Sequence, residues 1–172
     1  MTIRLVERKL RTKFGDYTEV LYYDGRSESI ALVMGEVRGG AEVLCRVHSA
    51  CVGGHVFSSI ECECAGEMAA AQQAIRRAGR GVIIYLDQEG KGNGHLALIK
   101  SSPFKEAGFT QGEAYEKAGY SPDARSYLLA AQMLGDLRVV SIDLLTENPR
   151  RAEELQSLGI EVARTTRLGK FK

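Results

Sequence analysis

The sequence predicts an α/β fold with α+β character in its N-terminal half, formed by a single domain over residues 1–172. Three observations support this prediction. Apolar residues alternate or cluster in short segments between residues 3 and 50, with turn residues between them, which is typical of antiparallel strands. From residue 81 onward, apolar runs alternate with helical patterns, which is typical of parallel strands joined by helices. No linker or internal repeat divides the sequence, so we expect one domain.

The N-terminal half is predicted to contain four strands. The first three lie at residues 3–10, 17–24 and 28–37, with the turn sequences FGD and DGRS between them. The segment EVLCRVHSA, at residues 42–50, is the fourth strand candidate. Its polar end places Arg46, His48 and Ser49 just before the next cysteine.

The rest of the chain alternates helices and strands. The segment 67–77 combines strong helix formers with an alanine-rich face, and the N-terminus of such a helix presents N–H groups to an anion. The run GVIIYLD is apolar without a period, which is typical of a strand buried on both faces. The later predicted elements are a helix within the segment 124–137, ending at Gly135, then a strand over 138–146, a helix over 148–159 and a strand over 160–165. Asn148 and Pro149 suit the N-cap and the first position of the last helix.

Composition and charge exclude several classes of protein. The chain has 23 basic and 22 acidic residues and a formal net charge of +1, so it has no global basic field for binding nucleic acid. No apolar run approaches the ~18 residues that a membrane span needs, and the N-terminus lacks the apolar core of a secretory signal. We therefore expect a cytoplasmic protein with no nucleic-acid partner and no membrane segment.

All four cysteines lie between residues 45 and 64. Without a secretion signal, such a cluster indicates a metal site or catalysis before disulfides. Cys51, Cys62 and Cys64 form a C-x10-C-x-C pattern, and three thiolates plus one water make an open zinc site that keeps one position for chemistry. The fourth cysteine lies in an apolar strand segment, where a buried thiol is common. The alternatives are merely buried thiols or a closed, structural site that takes its fourth ligand from Cys45, His48 or His55.

A glycine-rich loop follows the buried strand GVIIYLD. In QEGKGNGH, Gly90, Gly92 and Gly94 alternate around Lys91. Glycines let a ligand approach the backbone closely, and a lysine supplies positive charge for phosphate. The spacing matches neither a Walker loop nor G-x-G-x-x-G, so a mobile surface loop is the competing interpretation. Glu89 is either an acid–base group or a solvated turn residue.

The segment SPDAR is predicted to start the helix over 124–137. Either Ser121 or Asp123 would be its N-cap, and Arg125 would lie in its first turn. An aspartate at a helix N-terminus is usually only a cap, so this segment alone does not indicate catalysis.

The segment TENPRR connects a buried strand to the last predicted helix. Thr146 ends the strand, and Arg150 and Arg151 open the helix. Ligands of open α/β sheets bind outside the carboxyl ends of parallel strands. Because the glycine-rich loop also follows such a strand, both segments are expected to meet at one anion-binding site.

Five ordered motifs together resemble the GTP cyclohydrolase II family. They are R-V-H-S-A-C at 46–51, C-E-C at 62–64, Q-E-G-K at 88–91, D-A-R at 123–125 and T-E-N-P-R-R at 146–151. The resemblance extends from about residue 42 to residue 168 without a gap, so the family assignment rests on most of the chain. It implies a mixed sheet with flanking helices.

The resemblance implies a zinc-dependent cyclohydrolase of the kind used in riboflavin biosynthesis, acting as a homodimer. One zinc ion (Zn2+) per chain on Cys51, Cys62 and Cys64 would activate a water for attack on C8 of GTP, so that the imidazole ring opens and formate leaves. Magnesium (Mg2+) would accompany the triphosphate. The residues that would bind substrate and phosphate are Arg46, Val47, His48, Ser49, Glu67, Glu89, Gly90, Lys91, Thr146 and Arg151.

The resemblance also assigns catalytic roles to Asp123 and Arg125. In the mechanism proposed for the family, the matching arginine attacks the α-phosphate, pyrophosphate departs, and the matching aspartate assists as a base. Because a guanidinium is a poor nucleophile, a clamp on the phosphate charge is the alternative role for Arg125.

Several residues depart from the family pattern and bear on the substrate. Ala50 replaces an acidic residue, Glu61 and Glu63 flank the second cysteine motif, and Glu67 replaces a glutamine. Carboxylates accept N–H donors and so remain compatible with guanine, but a relative that hydrolyses another nucleotide, such as a pyrimidine nucleotide, is the leading alternative. Ser102 replaces a tyrosine, which points to a product that keeps its formyl group. A non-catalytic nucleotide-binding module with structural zinc is the third interpretation.

Overall fold

The computed structural model describes residues 2–169, and the chain begins with an antiparallel meander. Strands β1 (Ile3–Thr12), β2 (Gly15–Tyr23) and β3 (Glu28–Met34) pair in sequence order. Gly15, with φ of 119°, closes the short turn between β1 and β2 in a conformation that other residues rarely adopt. The three strands predicted for this region are confirmed.

Four further strands extend the same sheet. They are β4 (Val43–Ser49), β5 (Gly81–Leu86), β6 (Ser141–Leu145) and β7 (Glu161–Thr166), and the sheet order is β1-β2-β3-β5-β4-β6-β7. β4 is parallel to both β5 and β6, and β6 is parallel to β7, whereas β5 is antiparallel to β3. The predicted α/β fold with a mixed sheet is confirmed. The central position of β5, between β3 and β4, explains why its apolar run has no period.

Six helices accompany the sheet within residues 2–169. They are α1 (Val52–His55), α2 (Cys64–Ala78), α3 (His95–Glu106), α4 (Gln111–Lys117), α5 (Leu128–Asp136) and α6 (Pro149–Ser157). Sequence patterns predict α2, α5 and α6 but not the other three. Asn148 is the N-cap of α6 as expected, because its side chain accepts a hydrogen bond from the Arg150 N–H. None of these helices is long and apolar enough to cross a membrane.

The start of α5 differs from the prediction. The expectation that Asp123 and Arg125 lie at the start of this helix is wrong, because the helix begins at Leu128 and both residues belong to the preceding loop. The Asp123 carboxylate accepts hydrogen bonds from the backbone N–H and the side chain of Arg125, and the Ala124 N–H donates to the carbonyl of Lys91. These contacts outside the helix hold the segment in a loop.

Each face of the sheet has its own core. Helices α5 and α6 cover one face, where the buried cluster includes Cys45 and Val47 of β4. Helix α2 covers the other face, where the cluster includes Ile83 of β5. Because successive strand residues point to opposite faces, Arg46 and His48 lie on the α2 side of the sheet. The predicted burial of the Cys45 thiol in a strand is confirmed.

Candidate metal centre and substrate site

Three cysteines converge between the end of β4 and the start of α2. Cys51 is the N-cap of α1, and its Sγ accepts a hydrogen bond from the Gly54 N–H at 3.4 Å. Cys64 is the first residue of α2, and Cys62 lies in the loop just before it. The three Sγ atoms lie within 4.8 Å of one another. The cysteines chosen from the sequence therefore form one group.

The geometry of this group fits a zinc ion. Tetrahedral zinc with Zn–S bonds of ~2.3 Å places its sulfur atoms roughly 3.8 Å apart, and the Sγ atoms of Cys51 and Cys62 are 3.6 Å apart. Gly54 leaves room for the sulfurs, since a Cβ there would lie 2.9 Å from Cys62 Sγ and 3.3 Å from Cys51 Sγ. Within residues 2–169, no fourth histidine, cysteine or carboxylate joins the three, so the group has the composition of an open site.

The residues considered for a closed site are engaged elsewhere. Cys45 is buried in the core under α5 and α6, and the Nε2 atoms of His48 and His55 face each other at 3.0 Å. Burial raises the pKa of the Cys51 and Cys64 thiols. Because a metal binds thiolates, metal binding must displace protons from this group.

Arg46 uses three guanidinium nitrogens to hold neighbouring groups beside the cysteines. Nε donates to His48 Nδ1 at 3.4 Å, Nη1 donates to the Leu145 carbonyl at 2.9 Å, and Nη2 pairs with the Glu67 carboxylate at 2.5 Å. The Arg46 side chain is 4% exposed, and burial, together with the charge of Arg151, lowers its pKa. Arg46 therefore joins β4, the end of β6 and the first turn of α2.

The glycine-rich loop forms a 3₁₀ turn directly after β5. Gly90 and Lys91 have φ of 61° and 53°, so the backbone turns sharply here. The Glu89 carboxylate accepts hydrogen bonds from the Val52 N–H at 2.6 Å and from the Gly90 N–H at 3.2 Å. Glu89 is therefore not a solvated turn residue, because it ties the loop to the helix that follows Cys51.

The glycine-rich loop also holds the loop that carries Asp123 and Arg125. Three hydrogen bonds join the two loops: Gln88 Nε2 to the Ser126 carbonyl at 2.7 Å, Ala124 N–H to the Lys91 carbonyl at 2.9 Å, and Asn93 Nδ2 to the Ser121 carbonyl at 2.9 Å. Gly92 permits this approach, because a Cβ there would lie 2.7 Å from the carbonyl group of Ala124. The two loops are therefore positioned as one unit.

Asp123 and Arg125 form an ion pair within their loop. Arg125 Nε and Nη2 lie 2.9 Å and 2.5 Å from the two carboxylate oxygens of Asp123. Burial favours a raised pKa for Asp123, but the hydrogen bonds from Arg125 outweigh it, so the pKa of Asp123 is lowered. The hydrogen bond to Asp123 raises the pKa of Arg125 in turn, against the effect of burial. Both groups are therefore ionised near neutral pH.

The third candidate anion-binding element is the start of α6. Thr146 Oγ1 accepts hydrogen bonds from the Asn148 N–H at 3.1 Å and from Arg151 Nη1 at 3.4 Å. Arg151 is 8% exposed, and its Nε donates to the Tyr127 hydroxyl at 3.3 Å. Thr146 and Arg151 thus lie together at a helix N-terminus, where N–H groups and the helix dipole favour an anion.

Comparison with known proteins identifies the family. The family model described as GTP cyclohydrolase II matches residues 3–167. The chain belongs to the GTP cyclohydrolase II family. The resemblance inferred from its five motifs is confirmed.

Two bacterial relatives are similar to this chain over almost its whole length. The riboflavin biosynthesis protein RibBA of Bacillus cereus (strain B4264) is 42% identical over 164 residues, which cover 94% of this chain and 41% of the relative. RibBA of Endomicrobium trichonymphae is 37% identical over 162 residues, which cover 93% of this chain and 40% of the relative. The chain thus spans about two-fifths of the length of these relatives.

One solved structure shares the fold of this GTP cyclohydrolase II chain. RibBX from A. baumannii, described as a two-domain 3,4-dihydroxy-2-butanone 4-phosphate synthase, superposes with a TM-score of 0.54 at 21% sequence identity. The match covers 96% of this chain and 40% of that chain. At this level of identity the likeness shows the fold alone.

Some of the residues expected from the GTP cyclohydrolase II family to bind substrate have side chains that are buried and not open to a ligand. Val47 is 1% exposed and packs in the core, so its side chain does not reach a ligand. His48 is 3% exposed, and Arg46 and His55 contact its two ring nitrogens. The Ser49 hydroxyl is buried without a hydrogen-bond partner among the described residues.

A cavity of about 360 Å³ adjoins Cys62 of the three-cysteine group in this GTP cyclohydrolase II chain. Arg46, Cys62, Glu63, Glu67 and Glu147 contribute to its lining. Glu67 and Arg46 are paired there, so the cavity combines carboxylates with one buried guanidinium. Its size and polar lining suit a ligand that carries N–H donors.

Two tyrosines near the site are not predicted from the sequence. Tyr127 contacts the buried guanidinium at the start of α6, and the Tyr115 hydroxyl lies 3.3 Å from the Cβ position of Gly90. Burial and nearby carboxylates raise the pKa of Tyr115 to about 12, so it stays protonated. A sequence signal for α4, which carries Tyr115, does exist: Thr110 and Glu113 form a capping box at its start.

Proposed function

We propose that this chain is a zinc-dependent cyclohydrolase that opens the imidazole ring of GTP by hydrolysis at C8 and releases formate and pyrophosphate. The open three-cysteine group beside the Arg46–Glu67 pair carries the proposal. A zinc ion on Cys51, Cys62 and Cys64 supplies, when bound, Lewis-acid activation of water. The riboflavin biosynthesis names of the relatives favour this reaction over hydrolysis of a pyrimidine nucleotide.

Basic residues on three elements bind the triphosphate, together with Mg2+. Arg151 lies close enough to Arg46 to lower its pKa, and a bound anion relieves this repulsion between like charges. Lys91 lies close enough to Asp123 to lower the pKa of that carboxyl. The Thr146 hydroxyl and the N-terminus of α6 add donors for phosphate oxygens. Most of the positively charged residues of the proposed site therefore face the phosphates of the substrate.

Glu67 accepts N–H donors from the base. Arg46 binds Glu67 Oε2 and so fixes the carboxylate in the cavity beside Cys62, while 44% of the Glu67 side chain is exposed. Guanine presents two adjacent N–H groups on one edge, and a carboxylate accepts such a pair. Adenine lacks this pair of donors, so the site is expected to prefer GTP to ATP.

Arg125 clamps phosphate charge and does not act as the nucleophile. Its pKa is raised by the hydrogen bond to Asp123, so the guanidinium stays protonated and has no lone pair to offer. A fixed cation beside the phosphates stabilises negative charge that develops when pyrophosphate leaves. Asp123 holds the guanidinium in place and, with its lowered pKa, is a weak base.

Turnover of a nucleotide panel tests the proposal. The purified protein is expected to contain one zinc ion per chain and to consume GTP in preference to ATP, CTP and UTP. Cys62→Ser should abolish turnover and zinc binding, whereas the control Cys45→Ser, in the core, should keep both. A protein without zinc, or undiminished turnover by Cys62→Ser, would contradict the proposal.

Mass spectrometry of the products tests the consequence of Ser102. Ser102 is exposed on α3, and its hydroxyl donates to the Glu106 carboxylate at 3.3 Å. Complete hydrolysis should release one formate per GTP consumed, whereas a product that keeps its formyl group would show that the reaction stops after ring opening. Ser102→Tyr should then increase formate release.

A further inference from the structure

A series of contacts runs from Arg46 through two histidines on the α2 side of the sheet. Arg46 Nε lies 3.4 Å from His48 Nδ1, and His48 Nε2 lies 3.0 Å from His55 Nε2. His48 belongs to β4 and His55 is the last residue of α1, so the second contact joins the two elements that flank Cys51. The series ends at His55 Nδ1, which is buried without a hydrogen-bond partner among the described residues.

The charge of Arg46 decides which ring nitrogens carry protons. A guanidinium only donates, so His48 Nδ1 is the acceptor, and the neutral His48 ring carries its proton on Nε2. His48 Nε2 therefore donates to His55 Nε2, and the proton of a neutral His55 lies on Nδ1. Both contacts are favourable only with this arrangement of protons.

We infer that His55 is a positioning residue for Arg46. By accepting the hydrogen bond from His48 Nε2, His55 holds His48 in the one neutral tautomer that accepts from Arg46. The guanidinium then remains directed at Glu67. Without an acceptor at position 55, the His48 proton is free to move to Nδ1, where it meets the Arg46 N–H and repels it.

Packing supports this role by keeping the two rings in place. The His48 ring lies nearly parallel to Tyr85, with centroids 6.4 Å apart, and the His55 ring is 5.8 Å from Tyr85. The low exposure of His48 keeps water from competing for its nitrogens. Burial disfavours a second proton on the His48 ring, and so do the nearby charged or titratable groups Arg46, His55 and Arg151, so the pKa of His48 is lowered.

A matched pair of variants tests His55. His55→Gln keeps an acceptor oxygen near the position of Nε2, whereas His55→Leu removes the acceptor at similar size. In the zinc-loaded protein, His55→Leu is expected to lower kcat/KM roughly 10-fold and His55→Gln to retain most of it, with zinc content unchanged in both. Equal losses in the two variants, or loss of zinc from both, would overturn the inference.

Nitrogen-15 NMR of the histidine rings gives a readout that does not depend on turnover. We expect His48 protonated on Nε2 and His55 on Nδ1, and a mixture of His48 tautomers in His55→Leu. The NMR signals of the third histidine, His95, are identified by their loss when His95 is substituted. A proton on His48 Nδ1 in the unaltered protein would overturn the inference. The measurement of kcat/KM rests on the proposed function, whereas the NMR measurement does not. If the histidine rings carry their protons as expected but the protein leaves GTP intact, the proposed function alone is contradicted.

A double substitution shows whether His55 acts through His48. His48→Asn keeps an acceptor for Arg46 near the position of Nδ1 and does not need His55. In the His48→Asn background, His55→Leu should therefore cause no further loss of activity or of zinc. If His55→Leu lowers the activity by the same factor in the His48→Asn background as in the unaltered protein, His55 acts independently of His48 and the inference is overturned.

Discussion

Gly54 lies among the sulfur atoms of the three-cysteine group, where no side chain fits. Gly54→Ala would place a Cβ 2.9 Å from Cys62 Sγ, so the cysteines must separate to accommodate it. We expect zinc affinity to fall by roughly 10-fold or more, measured by competition with a zinc chelator.

Gly53 provides the matched control for that substitution. It also lies in α1, but a Cβ there would meet only the Ser59 Cβ, at an ordinary contact distance of 3.6 Å. Gly53→Ala is expected to keep its zinc. Equal affinities in the two alanine variants would show that the cysteines do not need the space at Gly54.

The buried His48 makes stability depend on pH. Burial, with the charges of Arg46, His55 and Arg151, lowers the pKa of His48 to about 3 from an unfolded value of 6.5. Between pH 3 and pH 6.5 the unfolded chain binds a proton at His48 that the folded protein does not bind. The free energy of unfolding therefore has its full value, with respect to His48, above pH 6.5 and decreases as the pH falls toward 3. We expect His48 to lower the free energy of unfolding by up to ~1.4 kcal/mol per pH unit in this range.

Urea unfolding of the metal-free protein at a series of pH values between 7 and 4.5 measures this dependence. His48→Gln should flatten it, whereas the exposed His95 provides a control, because His95→Gln should leave the slope unchanged. An unchanged slope in His48→Gln would refute the prediction.

At the scale of elements, the site depends on the contact between two loops. Gly92→Ala would place a Cβ 2.7 Å from the Ala124 carbonyl group and so push away the loop that carries Arg125. Because a displacement of this kind near reacting groups costs on the order of 100-fold in rate, we expect kcat/KM to fall by about that factor with zinc content unchanged.

Gly94 separates the effect of the collision from that of backbone strain. Gly94 and Gly92 both have positive φ, 90° and 83°, but nothing lies within 4 Å of the Cβ position at Gly94. Gly94→Ala therefore bears the strain without the collision and should retain much more activity. Similar losses in the two variants would mean that strain, and not the contact with Ala124, explains the effect.

The helices divide into those that the sequence predicts and those that it does not. Helix α6 has an N-cap and a proline at its first position, and α2 has an alanine-rich stretch, so both are predictable from local patterns. Helix α3 contains Pro103 and buries only Ala97 and Ser101, so its sequence lacks a clear apolar face. Helix α3 instead contacts α4, where Gln111 Nε2 donates to the Ser101 hydroxyl at 3.1 Å, and this contact cannot be read from a local pattern.

At the scale of the whole molecule, β1 is an exposed edge of the sheet. It pairs with β2 alone, and Ile3, Leu5 and Val6 are between 49% and 61% exposed. An exposed edge with apolar side chains is a surface on which a second chain can pair. This surface supports the homodimer expected from the family resemblance, which we retain as a proposal.

Light scattering after size-exclusion chromatography tests this proposal. We expect a mass twice that of the 18.8 kDa chain, and a shift toward the monomer in Val6→Lys. Val140→Lys is the control, because Val140 is 56% exposed but lies outside β1. A monomeric native protein, or a dimer unaffected by Val6→Lys, would contradict pairing through β1.

Local patterns in the sequence determine the strands, three of the six helices and the choice of Cys51, Cys62 and Cys64 as the clustered cysteines. Strand periodicity, helix caps and the C-x10-C-x-C spacing each depend on residues close together in the chain, so they can be read without the fold. The same holds for the five motifs that identify the GTP cyclohydrolase II family.

Only the tertiary structure decides how these motifs meet. Arg46 contacts Glu67 and Leu145, which are 21 and 99 residues away in the sequence, and the Asp123 loop contacts the glycine-rich loop instead of starting a helix. The pairing of His48 with His55 is equally invisible in the sequence, where either residue could have been a metal ligand. Such contacts depend on which face of the sheet each side chain occupies, and strand order and packing set that face.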